Sequence, residues 1–177
     1  MWSSHSQVLG WHAKISEDNL MSLARFAEKW GSGTYPPEPV SEADLQTAEH
    51  RFAVRLPDGY RRALLQTGLP RPTIALLDAI VDGELDLHSL GSFYTPSEIV
   101  DETLTWRELG MPEHLIAIAS DGCGNTFCFD GNRLRNSSGE GQAIWFFDHD
   151  FRTARDIAPS FEAWIAAYCE VEPSPRS

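Results

Sequence analysis

Between Ile116 and Asp130 the sequence IAIASDGCGNTFCFD sets two short period-two runs on either side of a glycine-rich turn. Ile116 and Ile118 alternate with Ala117 and Ala119, and Phe127 and Phe129 alternate with Thr126 and Cys128, as in strands whose successive side chains point to opposite faces. Gly122 and Gly124 reach positive φ without steric cost, and Asp121 and Asn125 carry short side chains that build or tolerate tight turns. The stretch reads as two strands joined by a turn, an antiparallel hairpin.

The flanking sequence supplies helices. Leu20, Leu23, Ala24, Ala27 and Trp30 recur at three and four, which predicts an amphipathic helix over 16–30 stopped by Gly31. GSGTYPPEPV, with two glycines and three prolines, reads as a linker or a tucked-in arm. Ser41 and Asp44 form a capping box with Asp in place of Glu, and Leu45, Ala48 and Phe52 then share one face. Leu56-Pro57 interrupts this helix. Pro57 suits a first helical turn, and Tyr60, Leu64 and Leu65 continue a second helix to Gly68.

The apolar run from Ile74 to Val81 reads as β-rich, with Asp82-Gly83 turning a hairpin before Leu85 and Leu87. Thr95, Pro96 and Glu98 open a helix over 96–109, ended by Gly110. A strand spans Ala143 to Phe147. Phe161, Trp164, Ile165 and Tyr168 form the core-facing stripe of a last helix, and EPSPRS is a frayed tail. The order implies an α+β domain, an antiparallel sheet packed by helices on one side.

The 177 residues fit one domain, and 42% hydrophobic content with six tryptophans marks a chain that folds. A net charge of -12 repels both a phosphate backbone and an anionic membrane, but suits a basic protein partner. No basic start followed by an apolar stretch opens the sequence, and no apolar run approaches the roughly 20 residues of a membrane span. Three cysteines are an odd count for a disulfide framework. These features point to the cytoplasm.

Two sets of residues invite a chemical reading. Cys123 and Cys128 with His149 or Asp121 have zinc-ligand chemistry, but a Cys-x4-Cys pair lacks a second paired cluster, and Cys128 on a strand is more simply a small buried hydrophobe. Asp148, His149 and Asp150 could exchange protons, yet no nucleophile elbow, phosphate loop or HExxH helix accompanies them, and Asp-His-Asp at a strand end also turns a chain. The sequence implies no catalytic residue, no metal and no cofactor.

Four pieces, VSEADLQTAEHRFAVRLPDGYRRALLQTGLP, IAIASDGCGNTFCFD, AIWFFDHD and IAPSFEAWIAAY, together resemble the SUKH superfamily, the Smi/Knr-type fold. The resemblance rests on Glu49, Phe52, Leu56, Pro57 and Tyr60; on Ile118, Asp121, Gly122, Gly124 and Asn125; on Trp145, Phe147, Asp148 and His149; and on Ser160, Phe161 and Glu162. Thr67-Gly68, where the family often has Asn-Gly, and Cys123 inside the turn depart mildly from it. The implied organisation is an N-terminal helix and arm over 1–38, a SUKH-like domain over 39–172 and a tail over 173–177.

The resemblance implies an immunity protein that binds and neutralises the toxin domain of a competing bacterium, or, as the alternative, a non-catalytic regulatory scaffold with an endogenous partner. Between Asp78 and Gly110 lie Asp78, Asp82, Glu84, Asp86, Glu98, Asp101, Glu102 and Glu108 against the single Arg107. Such a run is either a solvated face or a docking surface for a basic protein such as a nuclease toxin. On the docking reading Tyr94 and Trp106 are its aromatic anchors and Asp121 joins from the hairpin turn, while Trp106 reads equally as a core-facing residue. The oligomeric state is left open.

Overall fold

Ser41 Oγ accepts the Asp44 backbone N–H at 3.1 Å while Asp44 Oδ2 accepts the Ser41 N–H at 3.1 Å, so the expected capping box starts a helix. Thr95 and Glu98 form a second box, with Pro96 at the first helical position. The computed structural model describes residues 22–136 and 141–174. In chain order these hold α1 (Ser22–Trp30), α2 (Glu42–Phe52), α3 (Asp58–Thr67), α4 (Ile74–Asp82), β1 (Ser92–Phe93), α5 (Pro96–Glu108), β2 (Leu115–Ser120), β3 (Thr126–Asp130), α6 (Gly131–Asn136), β4 (Ile144–Asp148), β5 (Thr153–Ala158) and α7 (Phe161–Cys169). The part of the first expected helix before Ser22 and the end of the tail lie outside the described residues.

The five strands form one sheet in the order β1-β2-β3-β4-β5, every neighbouring pair antiparallel. The sequence hairpin is its centre: Ser120 pairs with Thr126 and Ala119 with Phe127, after which a bulge at Ile118 brings Ala117 opposite Cys128. Both faces of this centre are buried. Phe127 and Phe146 stand side by side on one face, where Trp164 of α7 lies 4.7 Å from the Phe127 ring. Thr126 and Phe147 stand on the other, where Trp106 of α5 meets Phe147 at 6.5 Å and Met111 Sδ accepts from Thr126 Oγ1. The α+β class is as the sequence implies; beyond the single covering layer expected, α5 adds a second, which is why no residue from Leu115 to Ala119 reaches water.

Helix α1 shares this core. Leu23, Phe26 and Trp30 are buried, Phe26 lies edge-on to Phe93 and Tyr168, and the Trp30 indole N–H donates to the Tyr168 carbonyl at 2.8 Å. The proline-rich stretch is the tucked-in arm: Glu38 and Leu69 exchange backbone hydrogen bonds at 2.9 and 2.8 Å.

One expectation fails. Ile74 to Val81 is the helix α4, not a strand, and Asp82-Gly83 ends it instead of turning a hairpin. A continuous apolar run does not separate strand from helix by period, and what decides here is tertiary. Trp30 O accepts both the Thr73 N–H and its hydroxyl at 3.0 Å, which anchors the first turn, and Leu76, Ala79 and Ile80 then face the core at helical spacing. Strands β1 and β5 and helix α6 carry no strong pattern and were not anticipated. β1 is two residues long, and β5, an edge strand, has no fully buried residue.

Candidate functional site

The hairpin turn is held by its own side chains. Asp121 Oδ1 accepts the backbone N–H groups of Cys123 at 2.7 Å and Asn125 at 3.0 Å, and Oδ2 accepts Asn125 Nδ2 at 2.7 Å. Asn125 in turn presents Oδ1 to the His149 backbone N–H at 3.1 Å and lies 3.0 Å from its Nδ1, so β3 and the end of β4 are tied through one amide. Gly122 and Gly124 sit at φ 82° and 100°, and a Cβ on Gly124 would press on the His149 ring. The carboxylate of Asp121, expected on a docking surface, is therefore committed to the turn.

The same holds for the Asp-His-Asp stretch. Asp148 Oδ1 accepts the N–H groups of Asp150 and Phe151, capping the turn into β5, while His149 Nε2 lies 3.2 Å from Asp150. Cys128 is buried beneath Met111, and burial pushes its thiol up to about 12; Cys123 is exposed on the turn. Among the described residues no group of three or more His, Cys, Asp or Glu is gathered closely enough to hold a metal.

The eight carboxylates of the acidic run fall into two groups. Asp78 and Asp82 lie on α4, with Glu84 and Asp86 just past its end, and all four are exposed. On α5 the side chains of Glu98, Asp101 and Glu108 are exposed and Glu102 is partly so. Glu98 is partly spent, since its carboxylate caps the helix at Thr95 N. Among the described residues none of the eight forms an ion pair.

The two expected anchors are not free surface rings. Tyr94 is 8% exposed, its backbone N–H bonded to Ile118 O, and burial pushes its phenol up to about 12. Trp106 lies partly buried between Phe147 and His149, at 6.5 and 5.7 Å. Trp106 belongs to the covering of the sheet, since α5 packs on β2, and Tyr94 follows β1 at the edge of the same sheet.

What the sequence did not single out is the outer face of α4. Ile74 is 71% exposed, Val81 64% and Leu77 40%, and Leu85, after the helix, is 39% exposed. These residues were assigned to a strand, which hid the spacing of three and seven that puts Ile74, Leu77 and Val81 on one stripe.

A cleft of about 400 Å³ opens beside α7, lined by Asp86, His88, Arg155, Asp156 and Trp164 among others. The His88 ring stacks on Phe146 at 3.7 Å and its Nε2 lies 3.3 Å from Arg155 Nη2. Burial, then the Arg155 charge, hold the His88 pKa below its ordinary value.

The remaining family-pattern residues are structural. Glu49 Oε1 accepts the Leu56 N–H at 2.8 Å, locking the corner at Pro57, and Arg61 of α3 joins the same carboxylate and that of Glu42. Tyr60 is buried edge-on against Phe129 and Phe161, and Arg133 covers the Trp145 ring. The profile of the SMI1 / KNR4 family (SUKH-1) matches residues 39–167, and the chain belongs to that family. No curated protein matches it. No helix among the described residues is long and apolar enough to cross a membrane.

Proposed function

We propose that this chain is an immunity protein, acting in the cytoplasm by binding a cognate bacterial toxin domain and occluding it, with no chemistry of its own. The observation that carries this reading is the acidic surface on a SUKH-1 fold: the carboxylates of α4 and of the exposed face of α5 have no cation of their own among the described residues. Unpaired carboxylates gathered on one stretch of chain attract a cationic surface and speed its docking, and a nuclease must be cationic around its nucleic-acid groove. The groups with catalytic potential point the same way. Asp121, Asn125, Asp148 and His149 hold one another and the backbone in a fixed corner, a use that leaves them little freedom for proton transfer.

The test is rescue. The toxin domain of a secreted protein encoded beside this chain is expressed in bacteria with and without it. Restored growth, with the two chains co-purifying as a complex, is the expected result. A lethal toxin domain that this folded protein neither binds nor neutralises would assign the surface to an endogenous partner and the chain to regulation.

A further inference from the structure

Helix α4 is apolar on two sides. Leu76, Ala79 and Ile80 pack into the core, while Ile74, Leu77 and Val81 stand in water on the opposite side. A helix apolar all round belongs in an interior, and an amphipathic surface helix would place polar residues at those three positions. At i, i+3 and i+7 they form one stripe, about 10 Å long at 1.5 Å per residue, and Leu85, just past the Gly83 cap, is exposed as well. Asp78 and Asp82, at i+4 and i+8 from Ile74, run alongside, and Glu84 and Asp86 close the far end. The nearest cation in sequence, Arg71, lies against the Tyr35 ring at 5.2 Å.

The other large exposed apolar side chains differ. Phe151 sits on a turn, Leu109 at the end of α5, Leu65 on α3 and Tyr35 in the proline-rich arm under Arg71, each a single residue of the kind any surface carries. Among the described residues they are contiguous and edged by one sign of charge only on α4. An apolar centre with a polar rim is the anatomy of a protein interface, and the sign of the rim selects the partner. An anionic membrane would be repelled by the same carboxylates.

Resting on the reading of the chain as a binder of a protein partner, we infer that the outer face of α4 seats that partner: Ile74, Leu77, Val81 and Leu85 take an apolar ridge flanked by lysines or arginines. The acidic face of α5 then steers the approach while α4 holds the complex. Affinity resides in the apolar stripe, and the carboxylates set the rate and the choice of sign.

The probe is a synthetic amphipathic helical peptide of leucine on one side and lysine on the other, titrated into the isotopically labelled full chain with backbone amide shifts as readout. Three controls accompany it: a peptide with glutamate for lysine, one with serine for leucine, and the protein variant Ile74→Ser/Val81→Ser, whose substituted side chains are exposed and leave the core intact. The shifts are expected to concentrate on residues 73–86, with binding weakened roughly tenfold or more in the double variant and with the serine peptide, and abolished with the glutamate peptide. Shifts spread evenly over α4 and α5, or binding unchanged in the double variant, would overturn the inference. So would a wild-type dimer in sedimentation that the double variant dissolves, since the stripe would then belong to a second copy.

Toxin rescue separates this inference from the reading beneath it. Rescue by the wild type and equally by Ile74→Ser/Val81→Ser sinks the α4 surface and leaves immunity standing. Peptide binding mapped to α4 with no rescue by the wild type does the reverse.

Discussion

Arg61 Nη1 lies 2.7 Å from Glu49 Oε1, and the two side chains are only 7% and 10% exposed. The same Glu49 oxygen accepts the Leu56 N–H, so one carboxylate neutralises a buried guanidinium and closes the chain reversal between α2 and α3. Removing one partner of a buried pair strands the other charge, at a typical cost of 3–5 kcal/mol. Glu42, half exposed, also contacts Arg61 and softens the loss. Glu49→Ala is therefore expected to lower stability by about 3 kcal/mol, and Glu42→Ala by about 1 kcal/mol or less. Urea unfolding of the two variants checks the ranking, and equal losses would mean that Glu49 has no special place at this corner.

A second prediction concerns the hairpin turn. Asp121 accepts three hydrogen bonds within the turn, and Asn125, which it orients, holds His149. Hydrogen bonds to a charged group contribute more than neutral ones. Asp121→Ala is expected to cost about 2–3 kcal/mol and to broaden the amide signals of both Asn125 and His149. If toxin binding at low temperature falls while the thermal midpoint stays put, the carboxylate faces the partner after all.

How much of this was legible in the sequence depends on whether the deciding force was local. The capping boxes at Ser41 and Thr95, the Pro57 corner and the hairpin are written within a few residues each, and all stand in the structure. Helix α4 is not: Ile74 to Val81 is apolar at nearly every position, and what makes it a helix is its tether to Trp30 and the core below it. The same holds for the site. The charges were visible as a run, but that Tyr94 turns inward and Val81 outward follows from packing between elements far apart in sequence. The short β1 and the exposed edge strand β5 owe their existence to the strands beside them.

His88 gives a pH dependence with a definite sign. Its folded pKa lies below the ordinary value of 6.5 because burial and then Arg155 disfavour the imidazolium, with Asp121, Asp86 and Asp148 acting weakly against them. Between the folded and unfolded values the unfolded chain binds more protons, so stability rises with pH in that window. The contribution is whole above about 6.5, the unfolded value, and is lost as the pH falls toward the folded one. His88→Phe keeps the stacking on Phe146 and removes the titration. Relative to that variant, the wild type is expected to lose stability as buffer is taken from pH 7.5 to 5.5, and parallel profiles would refute the assignment.

The three cysteines are free and differ in reactivity. Thiolate is the reactive form, and burial raises both buried thiols, that of Cys128 to about 12. Cys123 is exposed. One thiol per chain is therefore expected to react rapidly with a disulfide reagent in the native protein and all three after denaturation. Cys123→Ser should abolish the fast phase, and a fast phase that survives would place a second thiol at the surface.

The last prediction separates steering from holding. Asp101 is exposed and Glu102 partly exposed on α5, a different helix from the one that carries the apolar stripe. Charges at the edge of an interface change the association rate and its salt dependence far more than the dissociation rate. Reversing both to lysine replaces two attractions with two repulsions, so association with a cationic toxin domain is expected to slow by roughly tenfold at low ionic strength. The difference should shrink as salt rises and the Debye length falls to about 8 Å near 0.15 M. On the proposed docking surface α5 forms the rim, and dissociation should then stay within about twofold of wild type. Stopped-flow association across a salt series decides it: unchanged rates and an unchanged salt slope would remove α5 from the docking surface, while a large rise in dissociation would move it from the rim to the centre.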